Sequence, residues 1–256
     1  MLASIAAISA KLGSAARRFD IDLLASCDST NAVLLSRAEN GAPSGTVIIT
    51  EEQTAGRGRR GRSWFSSPGD SLTFSLLWRF AQGTAPAGLS LAVGVAVSRA
   101  LSGVGTPALK WPNDILKDGR KLGGILVELV PGAPHAAVIG IGINLRLPAG
   151  MPEEVRAAST ALNANGAAPD ANELYAVLLA ELLSTLDTFA TTGFAAIRPE
   201  WMARHAFQDA RIRLSTDFGP PSEGICRGVD IDGALLLEID GRIERILSGE
   251  VSLRPA

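Results

Sequence analysis

Histidine and cysteine are nearly missing from this chain, with two of each in 256 residues. Cys27 and Cys226 stand far apart, without a CxxC pair or a neighbouring histidine. That excludes a disulfide framework and a zinc site, and it fits a reducing compartment. His135, in a proline-rich loop, and His205, near a helix end, supply no triad or metal pair, so each reads as structural or solvated. Excess charge is missing too: 24 Lys and Arg against 26 Asp and Glu leave a net charge of −2. A general nucleic-acid binder would be basic. No Walker loop, internal repeat or low-complexity segment is present. No stretch approaches the ~20 apolar residues of a membrane span. The apolar start, Met1 to Ala10, lacks the basic residues of a signal peptide and is interrupted by serines. A first helix with Leu2, Ile5, Ile8 and Leu12 on one face is expected there, and the cytoplasm is the default compartment. What remains, 46% apolar and 20% charged residues, describes an ordinary globular protein of one large domain, alone or with a small one.

Against that plain background one stretch stands out. Gly56 to Arg62 packs four arginines and three glycines into seven residues, directly after Val47-Ile48-Ile49-Thr50, which reads as a buried strand end. Like charges repel and glycine destabilises helix and strand alike, so the segment is expected to have little fixed structure of its own. Glycines let backbone N–H groups turn toward a ligand, and guanidinium groups offer paired donors to carboxylate or phosphate. The reading is a loop that closes on an anion. A solvated basic loop and an arginine-glycine segment binding RNA or single-stranded DNA are its competitors. Gly56-Arg57-Gly58-Arg59-Arg60-Gly61 also spells a dinucleotide fingerprint, but that fingerprint must open a helix, and Ser63 to Asp70 is loop chemistry.

Elsewhere the pattern is that of a mixed α/β body. Ser29, Thr30 and Asn31 follow an apolar segment (Ile21, Leu23, Leu24) and read as a helix N-cap that also offers hydroxyls and an amide to a ligand. Leu72 to Trp78 alternates like a strand, and Leu89 to Leu101 is helical, ending at Gly103. Pro112 keeps Trp111 extended, so Ala108 to Leu116 is a strand running into a turn bracketed by Lys110 and Asp114. After the Asp118-Gly119-Arg120 turn, Lys121 to Glu128 is a strand containing Gly123 and Gly124. Ala137 to Asn144 is another, containing Gly140 and Gly142. Glycines inside strands mark close approach by another group, and a ring could lie on them. Asp170 and Glu173 have capping-box spacing before Leu174, Leu178, Leu182 and Leu186 at helical intervals. From Arg211 onward short strands joined at Asp232-Gly233 and Asp240-Gly241 read as hairpins. This gives units of 1–209 and 210–256, the second too small to be comfortable alone.

A site rich in Arg, Lys, Gly, amide and hydroxyl groups needs no protein nucleophile if the substrate brings one. Activation of a substrate carboxylate by ATP fits: two anions are brought into line, and the protein positions and neutralises them with the help of Mg²⁺.

The blocks GRGRRGRSWFS, KWPNDIL, KLGGILVE, GIGIN and the terminal Ser248 to Arg254 resemble, in order, those of biotin–protein ligases. The resemblance spans Ser29 to Arg254, and five matched blocks are far more specific than one. It implies an α+β fold, a class II aminoacyl-tRNA synthetase-like mixed sheet flanked by helices, followed by a C-terminal SH3-like barrel. It implies formation of biotinyl-5′-adenylate from biotin and ATP with Mg²⁺, then transfer of biotin to one lysine of a biotin carboxyl carrier protein. By motif position, Ser29, Thr30, Asn31 and Gln53 would hold biotin. Arg57, Gly58 and Arg59 would wrap its carboxylate and the adenylate, with Arg57, Arg59 and Lys121 as catalytic groups. Lys121 would meet the carboxylate and α-phosphate, and Gly124 would admit the ligand. Trp64 would stack near adenine, while Arg59, Lys110, Asp114, Asn144, Glu250 and Arg254 would face the nucleotide and its metal. The metal itself would be held mainly by ATP phosphates. Some family members carry an N-terminal winged helix of ~60 residues and act as repressors; with only about 25 residues before Ser29, the expectation here is a ligase that binds neither DNA nor membrane. A homodimer stays open. The rivals are a lipoate–protein ligase, which lacks the GRGRRG block, and an arginine-rich nucleic-acid binder.

Overall fold

The computed structural model describes residues 3–163, 170–216, 221–247 and 251–255. The chain begins with α1 (Ile5–Leu12), β1 (Asp20–Cys27), α2 (Thr30–Glu39), β2 (Thr46–Gln53), β3 (Ser71–Arg79) and α3 (Leu89–Ala100). There follow β4 (Ala108–Lys110), β5 (Asp114–Lys117), β6 (Arg120–Val130), β7 (Ala133–Asn144), α4 (Glu153–Ala157), α5 (Ala171–Thr192) and α6 (Arg198–Ala203). The first seven strands form one mixed sheet in the order β1-β2-β3-β7-β6-β5-β4. Only β1 and β2 run parallel, joined through α2, and every other neighbour is antiparallel.

Side-chain alternation splits the sheet into two faces. Val47 and Ile49, Leu72, Phe74 and Leu76, and Ile139, Ile141 and Ile143 join α1, α3 and α5 in the large core. Ile48, Leu77 and Val138 point the other way and are covered by Leu34 and Ala38 of α2. The alternation read in Leu72 to Trp78 is therefore one of direction only. Ser71 through Trp78 are all buried, because β3 is an inner strand with layers on both sides.

Several sequence expectations need correction. The inward face of α1 is Ile8 and Leu12; Ile5 is 41% exposed, and Leu2 lies outside the described residues. Ser29 occupies the N-cap of α2, yet its side chain makes no capping bond. Asp170 caps α5 by accepting from the backbone of Asn172, while Glu173 pairs with Lys11 of α1 instead of closing a capping box. One stretch does reach membrane-spanning length and composition: α5, with 22 residues. It packs its leucine stripe, Leu174, Leu178, Leu182 and Leu186, into the core.

The strands β8 (Arg211–Thr216), β9 (Ser222–Val229), β10 (Leu235–Ile239), β11 (Arg242–Ile246) and β12 (Val251–Pro255) form a second, fully antiparallel sheet, ordered β11-β10-β9-β8-β12. Asp240 and Gly241, at φ 49° and 74°, make the two-residue turn expected of that pair. Gly233 instead closes a longer connection, bonded to Asp230. Ile212, Leu214, Cys226, Val229, Leu235 and Leu237 belong to the same continuous core as the first sheet. A unit this small cannot bury enough surface by itself and completes its core against the larger one. Two polar contacts fix the seam: Trp111 Nε1 donates to the Gly233 carbonyl at 3.0 Å, and Arg198 Nε donates to that of Val229 at 2.6 Å.

Candidate active site

The sheet face that α2 covers changes character along its length. Register pairs Leu77 with Val138, then Ser75 with Gly140, Thr73 with Gly142 and Ser71 with Asn144. On the next strand Gly124 lies opposite Gly142, and Leu126 opposite Gly140. The apolar pair ends under α2, and the small and polar rows beyond it floor a cavity of about 950 Å³.

Two floor glycines are required by what lies on them. A Cβ at Gly140 would stand 2.2 Å from Asn31 Oδ1, and one at Gly142 would stand 2.4 Å from the Trp64 indole. A ring does lie on the glycines, and it belongs to the chain itself. Trp64 also comes within 3.8 Å of a Cβ built at Gly124. Its indole N–H is buried without an acceptor among the described residues.

The start of α2 forms the inner wall. Ser29, Thr30 and Asn31 are buried. Gln53 Oε1 accepts from the Thr30 backbone at 2.8 Å and lies 3.1 Å from its hydroxyl. Ser75 Oγ is 2.6 Å from Asn31 Oδ1, and the Asn31 amide nitrogen donates to the Leu126 carbonyl and to Glu128. Those two acceptors fix which way the amide points, so Oδ1 receives the Ser75 proton.

The arginine segment has a defined path. Gly58 N–H donates to the Arg62 carbonyl at 2.7 Å, Trp64 N–H to Gly56 at 2.8 Å, and Arg57 bridges to Ser63. Between them Arg59 to Gly61 makes a single 3₁₀ turn, with Arg60 left-handed at φ 60°. Arg57 Nη2 is tied to Glu128 at 2.8 Å. This fold was not legible from composition, because it rests on backbone closure within the loop and on a carboxylate 71 residues away. Burial, then the neighbouring Arg60, pull the Arg59 guanidinium below its ordinary pKa, with Asp114 acting against them.

In the same cavity, Lys121 Nζ lies 2.6 Å from Asp114 Oδ1, and Lys110 Nζ lies 3.6 Å from Oδ2. Burial pushes the Asp114 carboxyl up, but the two ammonium groups outweigh it and hold it below the usual carboxylate range. Two lysines thus converge on one carboxylate, and with the arginines that line the same cavity they give it a cationic lining suited to an anion. The Asn144 amide nitrogen is committed to the carbonyls of Thr160 and Lys121, which fixes the segment before α5 beside β6.

Ser29, Thr30, Asn31, Gln53, Arg57, Gly58, Arg59, Trp64, Lys110, Asp114, Lys121, Gly124 and Asn144 all line this one cavity. Arg254 lies on β12, its backbone paired with Arg213. Glu250 lies outside the described residues. Sequence reasoning gave no role to Ser75 or Glu128, nor to Trp111 and Phe207, which also line the cavity. Glu128 closes the KLGGILVE block, so its position was visible, although its partners were not.

Comparisons with known proteins agree with this geometry. Residues 23–144 match the biotin/lipoate A/B protein ligase family, and residues 211–254 match the biotin protein ligase C-terminal domain. The bifunctional ligase/repressor BirA of Escherichia coli is 42% identical over 234 residues, covering 90% of this chain and 72% of that protein. The biotin–[acetyl-CoA-carboxylase] ligase of Mycobacterium tuberculosis is 37% identical over 240 residues, covering 90% and 88%. Among solved structures, the Aquifex aeolicus biotin protein ligase in complex with biotin and ATP superposes with a TM-score of 0.81 at 30% identity, covering 93% of this chain and 99% of that one. The chain belongs to the biotin protein ligase family.

Proposed function

We propose that this chain binds biotin and ATP in the glycine-floored cavity, joins them as biotinyl-5′-adenylate, and passes biotin to one lysine of a biotin carboxyl carrier protein. The observation that carries the reading is the arrangement of Asp114 between Lys110 and Lys121, in the cavity that the four arginines of the loop also line. Two anions that repel each other can be brought together there, and the chain's residues need only position and neutralise them.

In this reading Ser29, Thr30, Asn31 and Gln53 hold the biotin ring end, and Arg57 and Gly58 meet its carboxylate. A carboxylate oxygen attacks the α-phosphorus, a P–O bond forms, and pyrophosphate leaves. Lys121 holds the oxygens between which charge moves, while Arg59 and Lys110 neutralise the phosphates and Asp114 keeps both lysines in place. Trp64 supplies an aromatic face for adenine. The carrier lysine then attacks the acyl carbon as a free amine, an amide forms and AMP leaves. Mg²⁺ supplies charge neutralisation on the phosphates. The metal would be held mainly by the phosphate oxygens of ATP. Glu250 and Arg254 are assigned to the nucleotide side.

The same reading takes 1–209 as a synthetase-like catalytic unit and 210–256 as an SH3-like unit. The test is exchange of labelled pyrophosphate into ATP with Mg²⁺, run in parallel with biotin, lipoate and no acid. Biotin-dependent exchange is the expected result. Exchange with lipoate alone would replace the substrate, and no exchange with either acid would remove the adenylation step.

A further inference from the structure

Glu128 is the carboxylate on which the cavity's two ends meet. Its side chain leaves β6 and is 28% exposed, and both of its oxygens lie 2.8 Å from Arg57 Nη2 on the arginine loop. One of them also accepts from Asn31 Nδ2 at 2.8 Å. Asn31 is 3% exposed and rests on Gly140, with its oxygen bonded to the fully buried Ser75. An unbroken polar chain therefore runs from the sheet floor, through the amide at the inner wall, to the base of the loop. Removing the carboxylate would leave the amide held by the Leu126 carbonyl and Ser75, one bond fewer, and would free a long, flexible guanidinium to wander.

We propose that Glu128 is a positioning residue for the acid substrate. It engages Arg57 through Nη2, which leaves the Nη1 N–H groups to make a single-point bond to the substrate carboxylate. By holding Asn31 with the same oxygen, it sets the distance between the group that meets the substrate ring and the group that meets its carboxylate. A neutral side chain at this position keeps the bond to Asn31 but not the ion pair to Arg57. This inference rests on the cavity being the biotin site.

Glu128→Gln, Glu128→Asp and the unaltered full chain separate these roles. In pyrophosphate exchange, Glu128→Gln is expected to raise the KM for biotin about tenfold, the loss of one charge-assisted bond, and to leave the KM for ATP within about twofold. Glu128→Asp retains the charge on a shorter arm and is expected to fall between them. A measurement without ligand accompanies this: trypsin cleavage after Arg57 should be several-fold faster in Glu128→Gln than in the unaltered chain, at an unchanged thermal midpoint. An unchanged biotin KM, or biotin and ATP constants rising together with a lowered midpoint, overturns the proposal. So does unchanged cleavage after Arg57, even if the unaltered chain shows no biotin-dependent exchange. That last absence is the failure of the biotin reading, and it is distinguished by being seen in the unaltered chain.

Discussion

Lowering the pH from 8 to 5 should destabilise this protein through one buried ring. His205 is 8% exposed and stacks on Trp201 at 4.5 Å, and among the described residues neither of its ring nitrogens makes a hydrogen bond of normal geometry. Burial depresses its pKa to about 4, with the nearby Gln208 acting against it. An unfolded histidine titrates near 6.5, so the unfolded chain takes up a proton that the folded chain refuses. The stabilising contribution is therefore whole above 6.5 and drains as the pH falls toward 4. At pH 5 the two values give a loss of roughly 2 kcal/mol, or about 4–8 °C in midpoint for a chain of this size. The ring lies next to the site: Leu109, beside Lys110, bonds to Arg204 and Ala206 on either side of it. Thermal unfolding of the unaltered chain and of His205→Leu, at pH 8, 6.5 and 5, isolates the effect. The difference between the two chains should shrink or reverse by that amount as the pH falls. A difference independent of pH would refute the assignment.

Other perturbations probe the site directly. Lys121→Ala removes the closer partner of Asp114 but leaves Lys110 at 3.6 Å, so the chain should stay folded while biotin-dependent pyrophosphate exchange drops by about 10²–10³; near-normal exchange would take Lys121 out of the reaction. Arg59→Ala should loosen the loop's hold on the adenylate, raising indiscriminate biotin labelling of a bystander protein. Labelling no greater than that by the unaltered chain would count against this. Trp111→Phe keeps an aromatic ring but deletes the N–H that reaches Gly233 across the seam, together with part of the buried indole's volume. It should cost roughly 2–4 kcal/mol in urea unfolding, from the stranded carbonyl and the cavity together, and no change in midpoint would mean that neither the bond nor the packing carries weight. Gly142→Ala drives a methyl into the indole. Its Trp64 fluorescence should shift toward that of an exposed ring, and an unaltered spectrum would mean that the ring does not rest there.

What the sequence determined by itself was whatever depends on near neighbours. The Asp240-Gly241 turn, the α5 leucine stripe and the order of the five motif blocks are properties of short stretches, set by backbone freedom and side-chain period. Much of the cavity's membership was legible too, because glycines at 140 and 142 inside an apolar strand weaken it and point to close approach by another group. Tertiary structure decided what those glycines receive, since the indole of Trp64 arrives from a loop between β2 and β3 while Gly142 lies on β7. It also decided that Ile5 faces outward, that β3 is buried on both faces, and that His205 is buried between the rings of Trp201 and Phe207. The clearest case is Glu128. A glutamate near the end of a strand is ordinary surface chemistry until α2 brings Asn31 to one oxygen and the arginine loop brings Arg57 to both. Period and propensity act over a few residues, whereas burial and charge pairing depend on which distant segments the folded chain brings together.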